Sequence, residues 1–336
     1  MKTVVCREPF SLAVEDRPSP SPKPGEAIVR IRRIGLCGTD YHIYAGRHPF
    51  LAYPRVMGHE LSGEIEHVPE GSAFRVGQVV AINPYLACGT CIACRKGKPN
   101  ACVSISVLGV HADGGMAERI AIPQSALFDA GALTLDQAAM IEFLAIGAHA
   151  VSRAGLLPGD RVLVVGAGPI GVGTGLFARF SGARVTLADT RPTRLAFARD
   201  HLAFDDTVEA GPDLPTALAE ATGGEMFDAV FDATGSLSAM AQSLGYVAHG
   251  GTLVLVGVAP GDLVFPDPEF HKRETTLVAS RNALLDDFDR VKQAILDGLI
   301  PTDVLHTHSL KAEDIPTSMP DLIASADHVL KAIARF

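Results

Sequence analysis

The sequence has no surplus of positive charge. Its 336 residues carry 29 Lys and Arg against 38 Asp and Glu, which gives a net charge of −9. A protein that binds nucleic acid or an anionic membrane through phosphate groups needs a basic surface. The charge balance therefore argues against both kinds of partner.

Long apolar runs are also absent. The N-terminal segment MKTVVCREPF lacks the apolar core of a signal peptide, and no segment reaches the roughly 18 apolar residues of a membrane span. We therefore expect a cytoplasmic protein without a membrane partner. In a reducing compartment, its six cysteines are expected to be thiols or metal ligands and not disulfides.

The chain does contain enough residues for about two domains, since its length is 336. With 47% hydrophobic residues, it can also bury a substantial core. The first half has short extended runs bounded by Pro, Gly and Asp or Asn, which predicts a β-rich unit. A helix is predicted from Thr134, where Gln137 completes a capping box, to Gly155. Beyond it, apolar strands alternate with helices, which predicts a parallel sheet covered on both faces. The apolar tail VLKAIARF is expected to return to the first domain.

The segment VLVVGAGPIG places Gly166, Gly168 and Gly171 in the spacing G-x-G-x-x-G. The pattern follows a predicted strand, opens a helix, and is followed by Asp189 at the end of the next strand, which is the context of a dinucleotide-binding turn. Asp189 would bind the adenosine ribose and repel a 2′-phosphate, so NAD is favoured over NADP. Arg191 lies nearby and could admit a phosphate, which keeps NADP open as the alternative.

Four of the six cysteines fall within 15 residues and have the spacing C-x2-C-x2-C-x7-C. Four thiolates on one short loop suit a closed tetrahedral zinc site, which does no chemistry. An iron–sulfur cluster is the alternative occupant. The ligands are Cys88, Cys91, Cys94 and Cys102.

A second set of possible ligands is spread along the chain. Cys37 lies in GLCGTDYH, and His59 with Glu60 lies in GHELSGEI. Taken alone, Cys37 could be a buried filler, half of a disulfide, a nucleophile or a metal ligand. Cys, His and Glu can together hold a catalytic zinc with an open position. Glu142, on an otherwise apolar helix, needs a partner and is either a fourth ligand or part of a salt bridge.

These motifs, together with IEFLAIGAHA and LADTRPTRL, resemble in their order the zinc-dependent medium-chain dehydrogenase/reductases. The resemblance implies an α/β protein with a GroES-like catalytic domain, formed by residues 1–146 and 282–336, and a doubly wound Rossmann domain formed by residues 147–281. It implies two zinc ions per chain, a catalytic one near Cys37, His59, Glu60 and Glu142 and a structural one in the cysteine loop. NAD would be bound by the glycine turn, including Pro169 and Ile170, and by Asp189 and Arg194.

The reaction implied by the resemblance is reversible oxidation of a secondary alcohol to a ketone. Thr39 would accept a hydrogen bond from the alcohol, and His42 would pass the proton on to solvent. Asp40 would hold the free ring nitrogen of His59. Without the resemblance, Thr39 and Asp40 would be ordinary turn residues.

Two segments bear on the substrate. Phe143 stands where the polyol dehydrogenases usually have proline. The segment VASRNALLDDF resembles the sugar-acid branch of the family, in which Arg281 and Asn282 would approach cofactor and substrate. An arginine can bind a carboxylate with two hydrogen bonds, so a hexonate is the leading substrate. Arg47 and His48 line the substrate pocket in one interpretation and lie in a solvated loop in the other.

The sequence leaves three functions open. The first is an NAD-dependent polyol or sugar-acid dehydrogenase, and the second is a threonine 3-dehydrogenase or simple alcohol dehydrogenase. The third is a zinc- and nucleotide-binding regulator without catalysis, which would have no use for a proton relay. The partner is a small molecule, and relatives suggest a homo-oligomer, either a dimer or a tetramer.

Overall fold

A computed structural model of the chain describes residues 1–48 and 51–336. The chain divides into two compact units, here called the first unit (Met1–Glu142 and Leu284–Phe336) and the second unit (Phe143–Ala283). The boundaries predicted from the sequence lie after residues 146 and 281. Across the described ranges, none of the helices combines the length and the apolar character needed to cross a membrane.

In its described residues, the N-terminal part of the first unit contains ten strands and three helices, and a fourth helix begins at its end and continues in the sequence of the second unit. The strands are β1 (Lys2–Glu8), β2 (Ser11–Asp16), β3 (Glu26–Leu36), β4 (Arg55–Val56), β5 (Glu60–His67), β6 (Val79–Ile82), β7 (Tyr85–Leu86), β8 (Ser106–Val107), β9 (Arg119–Pro123) and β10 (Leu127–Asp129). The helices are α1 (Gly38–Tyr44), α2 (Ile92–Arg95), α3 (Leu135–Ala139) and α4 (Ile141–Ala154).

The second unit alternates strands and helices, and the chain then returns to the first unit. The second unit contains β11 (Arg161–Val165), α5 (Pro169–Phe180), β12 (Arg184–Asp189), α6 (Pro192–Leu202), β13 (Thr207–Glu209), α7 (Leu214–Ala221), β14 (Phe227–Asp232), α8 (Leu237–Ser243), β15 (Val247–Leu255), α9 (Asp267–Lys272) and β16 (Thr276–Ala279). The returning segment contains α10 (Leu285–Leu296), α11 (Thr302–Leu305), β17 (His306–Lys311), α12 (Ile315–Ala324) and β18 (Lys331–Arg335).

A seven-stranded sheet organises the first unit. Its strand order is β10-β6-β5-β3-β18-β17, and β9 also pairs with β3. The long strand β3 is buried over residues 27–29 and 34–36, and between these stretches it is more exposed only at its arginines. The last strand, β18, lies antiparallel to β3 and parallel to β17. The prediction that the C-terminal tail returns to the first domain is therefore confirmed.

The capping box predicted at Thr134 is present. The Oγ1 of Thr134 accepts from the Gln137 N–H at 3.2 Å, and the Gln137 Oε1 accepts from the Thr134 N–H at 2.9 Å. The prediction of one continuous helix is wrong. At Met140 the backbone N–H turns back to the Gln137 carbonyl, 3.0 Å away, which ends α3. Helix α4 then starts at Ile141 and places Glu142 in its first turn.

The second unit is built on a six-stranded parallel sheet with strand order β13-β12-β11-β14-β15-β16. This is the 3-2-1-4-5-6 order of doubly wound nucleotide-binding domains. Strand β11 lies at the centre, and Val162, Leu163 and Val164 in it are fully buried. The predicted α/β class, with a parallel sheet in the second half of the chain, is confirmed.

Candidate active site and metal centres

The antiparallel strands β3 and β5 bring Cys37, His59 and Glu60 together in the first unit. Cys37 follows β3 as the N-cap of α1, and Glu60 begins β5 directly opposite Gly35. A side chain at position 35 would collide with this arrangement, since a Cβ there would lie 2.1 Å from Oε2 of Glu60. One ligand atom from each of the three residues lies within 4.8 Å of the others. We call these three residues the Cys–His–Glu set.

The chemistry of this set fits a metal ion. It offers one sulfur, one imidazole nitrogen and one carboxylate oxygen, which are all ligands that zinc accepts. His59 is only 6% exposed, and its Nδ1 has no hydrogen-bond partner among the described residues. Three protein ligands leave a position of a tetrahedral ion open, as catalytic zinc sites do.

Lys331 is a member of this site that the sequence analysis missed. Its Nζ lies 2.6 and 2.7 Å from the two carboxylate oxygens of Glu60, and the two side chains are 1% and 0% exposed. The Coulomb field of Glu60 and Cys37 outweighs burial and raises the pKa of Lys331. The sequence contains one indication of this role: a lysine in the apolar strand segment VLKAIARF requires a buried partner of opposite charge.

Asp40 supports Cys37 more directly than it supports His59. Its Oδ2 accepts from the backbone N–H of Cys37 at 3.0 Å, which fixes the start of α1. The predicted hydrogen bond to His59 is not formed, since Oδ1 of Asp40 is also without a partner among the described residues. The charge of Asp40 nevertheless acts on the ring: burial opposes the imidazolium, but the Cys37 hydrogen bond and Asp40 together raise the pKa of His59.

Glu142 lies close to the Cys–His–Glu set without belonging to it. Within the described ranges, the groups of converging ligand atoms do not include Glu142. Its Oε1 instead accepts a hydrogen bond from the hydroxyl of Tyr85 in β7. Glu142 is 6% exposed and Tyr85 8%, and burial raises the pKa of both side chains. The tyrosine therefore stays protonated and donates.

The two predicted relay residues lie on α1, directly after Cys37. Thr39 is half-buried, and His42 is exposed in the last turn of the helix. Partial desolvation and then the charge of Arg47 lower the pKa of His42, so the ring is neutral at neutral pH and able to accept a proton. Arg47 is exposed and His48 half-buried. Residues 49 and 50 of the same loop lie outside the described residues.

The four cysteines of the segment Cys88–Cys102, which we call the cysteine lobe, are free thiols. Adjacent sulfurs lie 3.4 Å (Cys88–Cys102), 3.5 Å (Cys91–Cys94) and 3.9 Å (Cys91–Cys102) apart. A tetrahedral ion with Zn–S bonds of about 2.3 Å requires sulfurs about 3.8 Å apart, whereas a disulfide requires about 2.05 Å. The lobe therefore has the dimensions of a four-thiolate metal site.

Thiols of the cysteine lobe differ in pKa because they have different hydrogen-bond donors and different degrees of desolvation. Backbone N–H groups of Thr90 and Cys91 lower the pKa of Cys88 to about 6. Desolvation and the neighbouring sulfur of Cys91 raise the pKa of Cys94 to about 12. Without a cation, only part of the lobe can be ionised at neutral pH. A bound dication would allow all four thiols to ionise, because its charge stabilises the thiolates. This is the usual reason that such lobes fold around a metal.

In the second unit, the glycine turn joins β11 to α5. Gly166 has φ +100°, a left-handed conformation that favours glycine, and its N–H bonds to the Ala188 carbonyl at 2.7 Å. At Gly171, a Cβ would lie 1.7 Å from the Gly166 carbonyl oxygen, so the helix and turn meet only because this residue is glycine. Gly168 caps α5, and Pro169 and Ile170 form its first turn. The free N–H groups of such a turn are suited to a pyrophosphate.

Asp189, the last residue of β12, forms hydrogen bonds with the glycine turn. Its Oδ2 accepts from the Ala167 N–H at 2.7 Å, and its Oδ1 accepts from the Arg191 N–H at 2.9 Å. A carboxylate still has lone pairs for ribose hydroxyls after two such bonds. Arg194 lies 3.7 Å from the Asp189 carboxylate and against Gly168. Arg281 is exposed just after β16, and Asn282 beside it has φ +54°.

Comparison with known proteins agrees with this geometry. Residues 23–132 match the alcohol dehydrogenase GroES-like domain, and residues 169–297 match the zinc-binding dehydrogenase model. The chain is also 43% identical over 309 residues to L-galactonate-5-dehydrogenase of Escherichia coli K12, with 92% of this chain and 91% of the relative covered. The chain belongs to the zinc-binding alcohol dehydrogenase family.

Two further members of this dehydrogenase family bear on cofactor and substrate. D-altritol 5-dehydrogenase of Agrobacterium fabrum is 36% identical over 267 residues, which cover 77% of each chain. The solved NADH complex of the RspB alcohol dehydrogenase from Escherichia coli CFT073 superposes with a TM-score of 0.94 at 30% identity, covering 100% of this chain and 99% of the other. The predicted family, fold class and dehydrogenase function are confirmed.

Proposed function

We propose that this dehydrogenase oxidises the C5 hydroxyl of a six-carbon sugar acid to a ketone, with NAD as the hydride acceptor and zinc as the catalytic metal. The observation that carries the proposal is the convergence of Cys37, His59 and Glu60 within 4.8 Å in a chain that also holds a dinucleotide turn closed by Asp189. The similarity to L-galactonate-5-dehydrogenase supports the substrate class and the position oxidised. D-altritol 5-dehydrogenase shares the position in its name, although its substrate is a polyol.

Each metal site has an assigned set of residues in this proposal. Cys37, His59 and Glu60 hold the catalytic zinc with Glu142 nearby, and the cysteine lobe holds a second, structural zinc. When bound, the catalytic ion acts as a Lewis acid that lowers the pKa of the substrate hydroxyl. The glycine turn would hold NAD, which would supply the hydride acceptor for the reaction. The expectations of a cytoplasmic location and a homo-oligomer stay predictions.

The chain's own side chains move the proton and balance the charge. The Oγ1 of Thr39 accepts the hydroxyl proton as its own hydroxyl proton is passed on, and the neutral ring of His42 takes the released proton towards solvent. Asp40 holds Cys37 at the start of α1 through the backbone N–H of Cys37. Lys331 neutralises Glu60, so the site does not accumulate the full charge of its carboxylates before the metal and substrate bind.

The substrate carboxylate is assigned to Arg281, with Arg47 as a further cationic group. Burial lowers the pKa of His48, so its neutral ring is assigned as a hydrogen-bond donor. Arginine binds carboxylates with two parallel hydrogen bonds. A hydrogen bond between charged groups contributes about 1.5–3 kcal/mol, which corresponds to roughly 10- to 150-fold in binding. An aldonate should therefore bind considerably more tightly than the alditol that differs from it only by having a hydroxymethyl group in place of the carboxylate.

The test is NADH production by the purified protein with matched pairs of aldonates and alditols, together with L-threonine and a simple secondary alcohol. L-galactonate is expected to give the highest kcat/KM, and galactitol a value at least about tenfold lower. Arg281→Met should raise KM for the aldonate and leave KM for the alditol unchanged. Preference for threonine or for the alditol would refute the sugar-acid assignment. Absence of turnover with all substrates would favour the non-catalytic alternative.

A further inference from the structure

The hydrogen bond between Tyr85 and Glu142 has no part in the proton relay or in the Cys–His–Glu set. Both side chains are buried in the first unit, and the phenol donates to Oε1 of the carboxylate. We propose that Tyr85 is a positioning residue that holds Glu142 outside the coordination sphere of the catalytic metal. This inference rests on the catalytic metal centre of the proposed function and adds how its open position is kept open.

The argument starts from the number of anionic groups around the site. Cys37 and Glu60 supply two of the donors that converge within 4.8 Å, and Asp40 lies behind Cys37. Glu142 is near enough for its charge to act on His59. If Glu142 entered the coordination sphere, it would occupy the fourth position of a tetrahedral ion, which the substrate oxygen needs. A third anionic ligand would also weaken the ion as a Lewis acid.

Tyr85 is well placed to prevent this entry. A buried carboxylate needs a donor, and the phenol supplies one to Oε1 of Glu142. In the described part of the chain, Glu142 does not belong to the group of converging ligand atoms. The backbone of Tyr85 is itself fixed, since its N–H bonds to Oδ1 of Asn83 at 3.1 Å. The carboxylate therefore already has a partner before any metal binds.

A strand pairing also holds Tyr85. Strand β7 pairs with β8 through Tyr85 opposite Val107 and Leu86 opposite Ser106. The backbone that presents the phenol to Glu142 is therefore restrained by two contacts, this pairing and the hydrogen bond to Asn83.

The experiment compares metal binding by wild type, Tyr85→Phe, Glu142→Gln and the double variant. The catalytic metal is removed with a chelator, since an open three-ligand site loses its ion more readily than a closed four-thiolate lobe. Cobalt(II) is then titrated in, and its visible spectrum and Kd are recorded. Removing only the hydroxyl of Tyr85 frees Glu142 to bind the ion. We expect cobalt to bind at least about tenfold more tightly, with a changed visible spectrum, because the carboxylate would then take the fourth position in place of solvent.

The control variants distinguish a specific effect of the Tyr85 hydroxyl on Glu142 from a general disruption of the structure. Glu142→Gln alone should change Kd by less than about twofold, and adding it to Tyr85→Phe should restore the wild-type spectrum, because a neutral amide is a poor zinc ligand. Tyr246→Phe, in the core of the second unit, removes a buried phenol elsewhere and should have no effect. Weaker or unchanged cobalt binding in Tyr85→Phe would overturn the proposal, as would a large loss in Glu142→Gln. Failure of wild type to take up cobalt would instead refute the metal centre itself.

Discussion

Replacing Lys331 with methionine is expected to lower the stability of the metal-free first unit by about 3–5 kcal/mol. The change keeps most of the side-chain volume and removes the charge that faces Glu60. With Nζ and Oε2 2.6 Å apart and an effective dielectric constant of about 20, the lost attraction is roughly 6 kcal/mol. Part of this is offset because the lysine no longer has to be desolvated.

The assay is urea unfolding followed by tyrosine fluorescence. The chain has no tryptophan, and four of its five tyrosines (Tyr41, Tyr44, Tyr53 and Tyr85) belong to the first unit. The signal therefore reports mainly on the unit that carries the substitution. Combining Lys331→Met with Glu60→Gln should recover most of the loss, since neither partner is then left charged and buried.

The same measurement with zinc present adds a second condition. A bound dication would neutralise Glu60 in place of Lys331, so the loss caused by Lys331→Met should be smaller than in the metal-free protein. A loss below about 1 kcal/mol in the metal-free protein would show that the pair is not the main counter-charge of Glu60. A double variant as unstable as the single one would show that lost packing, not charge, is responsible.

Three further predictions concern catalysis. Metal analysis should find two zinc ions per chain. The Cys37→Ala variant should lose turnover and keep NAD binding, measured by calorimetry. Unchanged turnover in this variant would exclude a catalytic zinc at Cys37. Since the pKa of His42 is lowered from 6.5, kcat/KM should fall on the acid side with a midpoint below pH 6.5. The His42→Gln variant should slow turnover by roughly 10²-fold. An unaltered rate in this variant would show that His42 is not part of the relay. Asp189→Ser should shift preference towards NADP, whereas a wild type that already prefers NADP would contradict the role assigned to Asp189.

Sites whose residues lie close together in the sequence could be predicted from their spacing. The glycine turn and the cysteine lobe each lie within one short segment, so their spacing alone constrains the geometry. The parallel sheet of the second unit followed from continuous apolar strands that alternate with helices. The capping box at Thr134 followed from two residues three positions apart.

Residues that act through long-range contacts could not be predicted in the same way. Lys331 is separated from Glu60 by 271 positions, and the pairing of β3 with both β18 and β5 brings them together. Tyr85 gave no signal, because a tyrosine in a strand is an ordinary core residue. The end of α3 at Met140 depends on a local turn that the apolar periodicity does not reveal, yet it places Glu142 in the first turn of α4.

The place of β18 between β3 and β17 in the seven-stranded sheet has a consequence for protein synthesis. The ribosome makes Cys37, His59 and Glu60 early, but Lys331 emerges only after the whole second unit has been translated. Until then Glu60 lacks its counter-charge and β3 lacks one neighbouring strand. The second unit can fold while the nascent chain is still growing, whereas the metal site of the first unit waits for the final strand.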